Sequence, residues 1–173
     1  MNTKGKRIAI FVDQQYQEME VWYPYYRLVE AGAEVHLAAA EAGKTYPSKT
    51  GYPCTSHKSY ADLKAADYDG VIAPGGFAPD FIRRHSASSQ FIAQMDSQGK
   101  LVAAICHGLW CLCSANVLKG RRCTSFFAIK DDVVHAGGLW EDSEVVVDNN
   151  IVSSRKPDDL PAFMKACIAV LNR

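Results

Sequence analysis

The chain has 173 residues, of which 48% are hydrophobic and 22% are charged, a composition typical of a soluble globular fold. Its length fits one compact domain, so we expect residues 1–173 to form a single domain. Lysine plus arginine and aspartate plus glutamate number 19 each, so no net field favours nucleic acid, a membrane surface or a strongly charged substrate.

The first part of the chain predicts a strand, a helix and a second strand. Arg7–Val12 is a nearly continuous apolar run, which indicates a strand buried on both faces. A helical pattern covers Met19–Ala31, and Gly32 supplies its stop signal. Pro24 lies inside this pattern, where it is tolerated if the helix starts late and otherwise implies a kink. Glu34–Ala40 predicts the second strand.

The middle of the chain begins with Gly43–Tyr60, whose prolines and glycines predict a loop or a small hairpin. Asp69–Ala73 reads as a strand that runs directly into Pro74, Gly75 and Gly76. The helices predicted in this part are Ala61–Ala66, Ala78–Arg84 and Ser88–Gln98.

Leu101–Ile105 is the most apolar of the predicted strands, and Cys106, His107 and Gly108 follow it at once. A helical run continues to Asn116. The remaining predicted elements are a strand near Arg122–Phe126, a helix near Ile129–Ala136, a hairpin of Glu144–Asp148 and Ile151–Ser153 about Asn149 and Asn150, and a final helix at Asp158–Leu171.

Strands that alternate with helices predict an α/β fold with a doubly wound, mostly parallel sheet, helices on both faces and a C-terminal β-hairpin. Ligands in such sheets bind outside the carboxyl ends of the strands. Three of these ends are followed by unusual residues, namely the acidic segment at Glu20, the pair Gly75 and Gly76, and Cys106. We expect the three segments to meet in one crevice.

Cys106 is the strongest candidate for a reactive group. A buried strand ends and a helix begins within about two residues of it, which predicts a strained corner like a nucleophile elbow. Ala104 and Gly108 leave room for the bend. The nearby helix N-terminus is expected to favour the thiolate and to lower the pKa of the thiol below its usual value of about 8.5. The alternative is that Cys106 is a small core residue.

The other cysteines are interpreted as free thiols, because most of the six lie inside apolar runs. Cys111 and Cys113 are two residues apart on a predicted helix and point to different sides, and the spacing matches no zinc pattern. We therefore predict no metal site. No apolar run approaches the roughly 20 residues that span a bilayer, and no signal segment leads the chain. A reducing cytoplasm is the expected location.

Four ordered segments together resemble the ThiJ/PfpI superfamily, which includes DJ-1-like proteins, on its PfpI intracellular protease and glyoxalase branch. They are VAAICHG, APGGFAPDFIR, EMEVWYPYYRLVEAG and SSRKPDDLPAF, and the resemblance runs from Arg7 to the last helix. It implies a flavodoxin-like fold, a homodimer or hexamer, and no cofactor. Members of the superfamily include peptidases, glyoxalases, deglycases and stress proteins.

Carried onto this chain, the resemblance makes Cys106 the nucleophile, His107 its neighbouring histidine and Glu20 a buried carboxylate that faces the sulfur. Asp80 matches an acidic residue that orients the histidine of an adjacent subunit, so the site would be completed across an interface. Lys49 matches a basic residue near the pocket mouth. The residues predicted to bind the substrate or the oxyanion are Gly75, Gly76, Lys49, Trp110 and Phe126.

At the pocket the chain differs from the superfamily that it resembles. Leu109 and Trp110 follow Cys-His-Gly in place of Pro and Gln, Phe126 replaces a tyrosine, and Gln17 replaces a glutamate. These changes predict a more apolar pocket.

Two functional hypotheses follow. The first is an enzyme in which the Cys106 thiolate adds to the carbonyl of a small α-oxoaldehyde, of its glycation adduct, or of an amide or peptide. The second is a non-catalytic redox sensor or stress-protective protein that acts through oxidation of Cys106. Neither hypothesis involves nucleic acid, a membrane or a cofactor.

Overall fold

The structure, a computed structural model, describes residues 3–173 and is built on a seven-stranded sheet. All neighbouring strands are parallel except the pair at the C-terminal hairpin, which is antiparallel. From one edge to the other, the strands are β10 (Val145–Asp148), β11 (Ile151–Ser154), β7 (Leu101–Ile105), β6 (Gly70–Ala73), β1 (Arg7–Phe11), β2 (Glu34–Ala39) and β5 (Lys58–Ser59).

The helices pack against this sheet in two pairs, α1 with α6 and α3 with α4, which gives the predicted α/β fold. Strands β6 and β7 are buried at every residue, which explains why their sequences are continuously apolar. None of the helices in the described part is long and apolar enough to cross a membrane. The helices are α1 (Glu18–Glu30), α2 (Ala78–Ile82), α3 (Ser86–Ser97), α4 (Leu109–Ser114), α5 (Lys130–His135) and α6 (Leu160–Leu171).

Two predicted elements differ from the structure. In place of one helix at Ala61–Ala66 there are two 3-10 turns, Tyr60–Asp62 and Ala65–Asp67. The Tyr60 hydroxyl donates a hydrogen bond of 2.7 Å to the carbonyl of Val12, and this buried contact fixes the segment against the end of β1.

The predicted strand near Arg122–Phe126 is shorter than expected and lies outside the main sheet. Strand β8 (Arg122–Cys123) pairs with β9 (Leu139–Trp140) in a separate two-stranded parallel sheet. Thr124 leaves β8 because its amide donates to the Ser153 side chain at 2.9 Å. The hairpin predicted within residues 43–60 is present as β3 (Thr45–Pro47) and β4 (Pro53–Thr55).

Pro24 lies inside α1 and not at its start. The helix therefore lacks the backbone hydrogen bond that would otherwise reach the carbonyl of Glu20.

Strands β1, β6 and β7 are adjacent and parallel, so their carboxyl ends open onto one edge of the sheet. The segments that follow these strands lead to α1, to Gly75 and Gly76, and to Cys106. The three predicted segments therefore meet at one crevice.

Candidate active site

Cys106 occupies a strained corner at the end of β7. Its φ angle is +61°, a left-handed conformation that is uncommon for a residue with a side chain. A single 3-10 turn, Cys106–Gly108, separates β7 from α4. A side chain at Gly108 would collide with the carbonyl oxygen of Ala73, so this glycine permits the tight approach of two strand ends.

The Cys106 sulfur lies among hydrogen-bond donors and a possible base. The backbone amides of His107 and Gly76 interact with it and favour its negative form. The Nδ1 atom of His107 lies 3.4 Å from Sγ. Cys106 is 9% exposed, so only a small part of the residue is open to solvent.

Glu20 is completely buried beside this sulfur. Its Oε2 atom accepts a hydrogen bond of 2.6 Å from the amide of Gly75, whereas Oε1 has no partner among the described residues. Burial raises the pKa of Glu20 to about 8, although Gly75, Cys106 and Lys49 act to lower it. The carboxyl group is therefore protonated at neutral pH, and its O–H can donate a hydrogen bond to a thiolate.

The pKa of Cys106 differs from the sequence prediction. Burial is the largest cause that raises the pKa to about 12, against the lowering effect of the His107 and Gly76 amides, and the charge that Glu20 carries above its own pKa of about 8 adds to the rise. The dipole effect is weaker than expected because α4 begins only at Leu109, after the 3-10 turn. The resting sulfur is therefore a thiol, and its reaction requires a base.

His107 has the properties of that base. Burial and the charge of Lys49 lower the pKa of His107, so the imidazole is neutral at neutral pH and can accept a proton. Its ring stacks on Phe126, with centroids 5.1 Å apart, and meets the Trp110 ring edge-on at 5.2 Å. These contacts fix the orientation of the imidazole.

A cavity of about 240 Å³ opens at the sulfur. It brings together six of the predicted residues, and three predicted residues do not line it, namely Gly75, Trp110 and Asp80. The lining residues are Gln17, Glu20, Lys49, Gly76, Phe77, Cys106, His107, Phe126, Lys156 and Pro157.

The three predicted residues outside the cavity lining have other contacts. The Gly75 amide is occupied by Glu20, so it is not free to bind an oxyanion. Trp110 donates from Nε1 to Asp132 Oδ2 at 2.8 Å and supports His107 from the side. Asp80 lies on α2, half exposed, and pairs with Arg84.

Sequence reasoning missed Lys156, Pro157 and Phe77 as cavity residues. Lys156 and Pro157 follow β11, which is the neighbour of β7 and ends at the same edge of the sheet. The SSRKPDDLPAF motif together with this adjacency is the signal that could have identified Lys156 and Pro157.

All six cysteines are free, as predicted. Among residues 3–173, no three His, Cys, Asp or Glu side chains form a group that could hold a metal ion.

Substitution of Gly75 tests whether the site depends on tight packing. A Cβ atom there would lie 2.7 Å from Glu20 Oε2 and 2.8 Å from Cys106 Cβ, so one of these groups must move. We expect Gly75→Ala to lower kcat by roughly tenfold or more and to destabilise the fold by about 1–3 kcal/mol. Gly99→Ala is the control for a loss of stability without a collision. Its φ of +66° strains an alanine, but no atom lies within 4 Å of the added carbon. It should lose stability in urea unfolding but keep its kcat, and equal losses of kcat would contradict the packing argument.

Comparison with known proteins gives a consistent match. The model of the DJ-1/PfpI family matches residues 6–170. The deglycase PfpI of Pyrococcus furiosus is 40% identical over 165 residues, which covers 95% of this chain and 99% of the relative. The protein/nucleic acid deglycase 2 of Escherichia coli is 38% identical, covering 96% of this chain and 98% of the relative.

A solved structure agrees with these relatives. The two-domain protein of Anabaena variabilis, with DJ-1/ThiJ/PfpI-like and ferritin-like domains, matches with a TM-score of 0.94 and 35% identity. The match covers 96% of this chain and 48% of that protein.

Proposed function

The chain belongs to the DJ-1/PfpI family, and from this membership we propose that it is a cysteine-dependent enzyme of the deglycase or protease type. The observation that carries the proposal is the environment of Cys106. The residue has a left-handed backbone conformation, and its sulfur lies close to two amide donors and to a neutral imidazole. Such a combination suits nucleophilic attack on a carbonyl carbon.

We further propose that the substrates are small α-oxoaldehydes or their glycation adducts. A cavity of about 240 Å³ suits a molecule of a few heavy atoms. The names of the Pyrococcus and Escherichia relatives, both deglycases, support the same class of substrate.

The first step would be addition of the Cys106 sulfur to the aldehyde carbon, with the thiol proton passing to Nδ1 of His107. The oxyanion that forms lies near the Gly76 and His107 amides, which interact with the sulfur in the resting site. A proton then moves from the former aldehyde carbon to the neighbouring carbonyl carbon, and the proton held by His107 goes to the oxygen of that second carbon, which gives a thioester of a hydroxy acid. Water hydrolyses this ester and returns the thiol.

Glycation adducts would bind whole, with the reacting carbon in the cavity, and would enter the same path when the amine or thiol leaves the adduct at the site. An amide or peptide would instead form an acyl-thioester at Cys106 and release its amine, so the same residues serve both reactions.

Product identification distinguishes these reactions. Freshly reduced protein is incubated with methylglyoxal, with its adduct on N-acetyl-lysine, or with a short fluorogenic peptide. We expect lactate from the first two, and recovery of free N-acetyl-lysine from the second, by proton NMR. Cleavage of the peptide alone would assign the site to amide hydrolysis, and no turnover of any of them would contradict the proposed enzyme.

The redox hypothesis has less support in the geometry of Cys106. Peroxide oxidises thiolates, and burial together with Glu20 raises the pKa of this thiol to about 12. Intact-mass measurement after mild peroxide would favour sensing if two oxygen atoms were gained at Cys106 while no aldehyde was turned over.

We also propose that the chain assembles with itself, as a homodimer or hexamer, with Asp80 of one copy orienting His107 of another. An apolar groove of about 1100 Å³ along α1 supports self-association, since Tyr26 is 62% exposed and Met19 is 51% exposed there. We expect Tyr26→Glu to lower the mass in sedimentation, whereas Leu139→Glu, at an exposed apolar residue on β9, should not. A monomeric wild-type protein would contradict this proposal.

A further inference from the structure

Two lysine residues line the cavity that contains the Cys106 sulfur. They are Lys49, in the loop between β3 and β4, and Lys156, just after β11. Among the described residues that line the cavity, the one carboxyl group is that of Glu20. It is protonated at neutral pH because burial raises its pKa to about 8. The cavity wall is therefore positive, although the formal net charge of the whole chain is zero.

Lys49 is available to a ligand. None of the salt bridges within residues 3–173 involves its ammonium group, and Nζ lies 6.0 Å from the centroid of the Phe77 ring. Its charge nevertheless reaches the reacting groups, since it contributes to the lowered pKa of His107. Lys156 differs in that Nζ lies 2.9 Å from Asp158 at the exposed surface.

Glu18 holds the loop that carries Lys49. Its Oε1 atom accepts hydrogen bonds from the Ser48 hydroxyl at 2.5 Å, from the Thr50 amide at 3.0 Å and from the Thr50 hydroxyl. These donors flank Lys49 on both sides, and the Lys49 amide itself donates to the carbonyl of Tyr16 at 3.0 Å. Partial burial acts to raise the pKa of Glu18, but the bonds from Ser48 and Thr50 lower it to about 2, so it remains ionised.

We propose that this cavity selects carbonyl substrates that carry a carboxylate near the reacting carbon. Lys49 is the specificity-determining residue, Lys156 assists it, and Glu18 is a positioning residue that acts through Lys49. A carboxylate fits because a single unpaired ammonium group balances one negative charge. The inference rests on the proposed function for the identity of the reaction, since methylglyoxal itself is uncharged and leaves Lys49 without a partner.

A matched pair of alkylating reagents tests the selection without any turnover. Iodoacetate carries a carboxylate and iodoacetamide is its neutral counterpart, and peptide mapping by mass spectrometry gives the rate of each at Cys106. We expect the iodoacetate-to-iodoacetamide ratio to fall by about tenfold in Lys49→Met and to fall with added salt in the wild type. Lys58→Met, on the edge strand β5, should leave the ratio unchanged.

An unchanged ratio in Lys49→Met would overturn the proposal. If the ratio falls while no substrate is turned over, anion selection stands and only the proposed reaction fails. The two failures are therefore distinguishable.

A matched substrate pair extends the test to turnover. The methylglyoxal adducts of N-acetylcysteine and of N-acetylcysteine amide differ by one carboxylate. We expect the charged adduct to have a kcat/KM about tenfold higher in the wild type and an equal value in Lys49→Met. Equal values in the wild type would contradict the selection.

The role of Glu18 has its own readout. Glu18→Ala should slow iodoacetate at Cys106 but not iodoacetamide, and Glu18→Gln, which keeps an acceptor oxygen, should restore much of the difference. Equal slowing of both reagents would assign Glu18 a merely structural role and overturn its part in the proposal.

Discussion

Replacing Cys106 with serine should reduce turnover of methylglyoxal and of its adducts by roughly 10³-fold or more. The hydroxyl would keep the shape of the site, but it is far less acidic than a thiol and a poorer nucleophile for the neutral His107 to activate. The measurement is kcat/KM from product formation by proton NMR.

Cys113→Ser is the control for this result. Cys113 is half-buried on α4, is not part of the cavity lining, and its sulfur lies 3.9 Å from the carbonyl oxygen of Asp132. We expect its kcat/KM to remain close to that of the wild type. Full activity in Cys106→Ser would exclude the sulfur from the reaction.

Replacing Glu20 with glutamine should change how stability and activity depend on pH. The folded protein holds the Glu20 proton up to a pKa of about 8, whereas the unfolded chain releases it near its ordinary value of 4.5. The folded state therefore binds more protons between these values, so the free energy of unfolding of the wild type falls as the pH rises from 4.5 to 8. Glutamine does not titrate, so this loss should be absent from the variant.

Urea unfolding at about pH 5 and about pH 9 gives the difference. We expect Glu20→Gln to gain roughly 3–5 kcal/mol of unfolding free energy relative to the wild type between these two conditions. Above the pKa of about 8, a charged Glu20 would also oppose formation of the Cys106 thiolate, so the wild type should lose activity there and the variant should keep it. Parallel pH profiles of the two proteins would mean that Glu20 is ionised throughout.

The corner at Cys106 was predictable from sequence because its causes are local. A fully apolar strand that is followed at once by Cys106, His107 and Gly108 indicates a tight strand-to-helix turn, and the structure gives Cys106 a φ of +61°. That Glu20 and Gly76 lie in the same crevice was also predictable, because the carboxyl ends of parallel strands share one edge of the sheet.

The electrostatics of the site could not be predicted in the same way. The pKa of Cys106 depends on its burial and on the distance to Glu20, which lies more than 80 positions earlier in the chain and is brought close only by folding. The sequence pattern indicated a helix directly after Cys106, but a 3-10 turn intervenes and weakens the dipole. The segment that contains Lys156 was recognised as a motif, but its place at the cavity was missed because it depends on the pairing of β11 with β7.

Active-site titration with iodoacetamide tests most directly whether the chemistry depends on Cys106. The reagent is added in steps, the remaining turnover of methylglyoxal is measured, and peptide mapping gives the modified fraction of each of the six cysteines. We predict that the fraction of activity lost equals the fraction of Cys106 modified, whatever the state of the other five. Full modification of Cys106 with activity retained, or loss of activity while Cys106 is unmodified, would contradict a reaction at this sulfur.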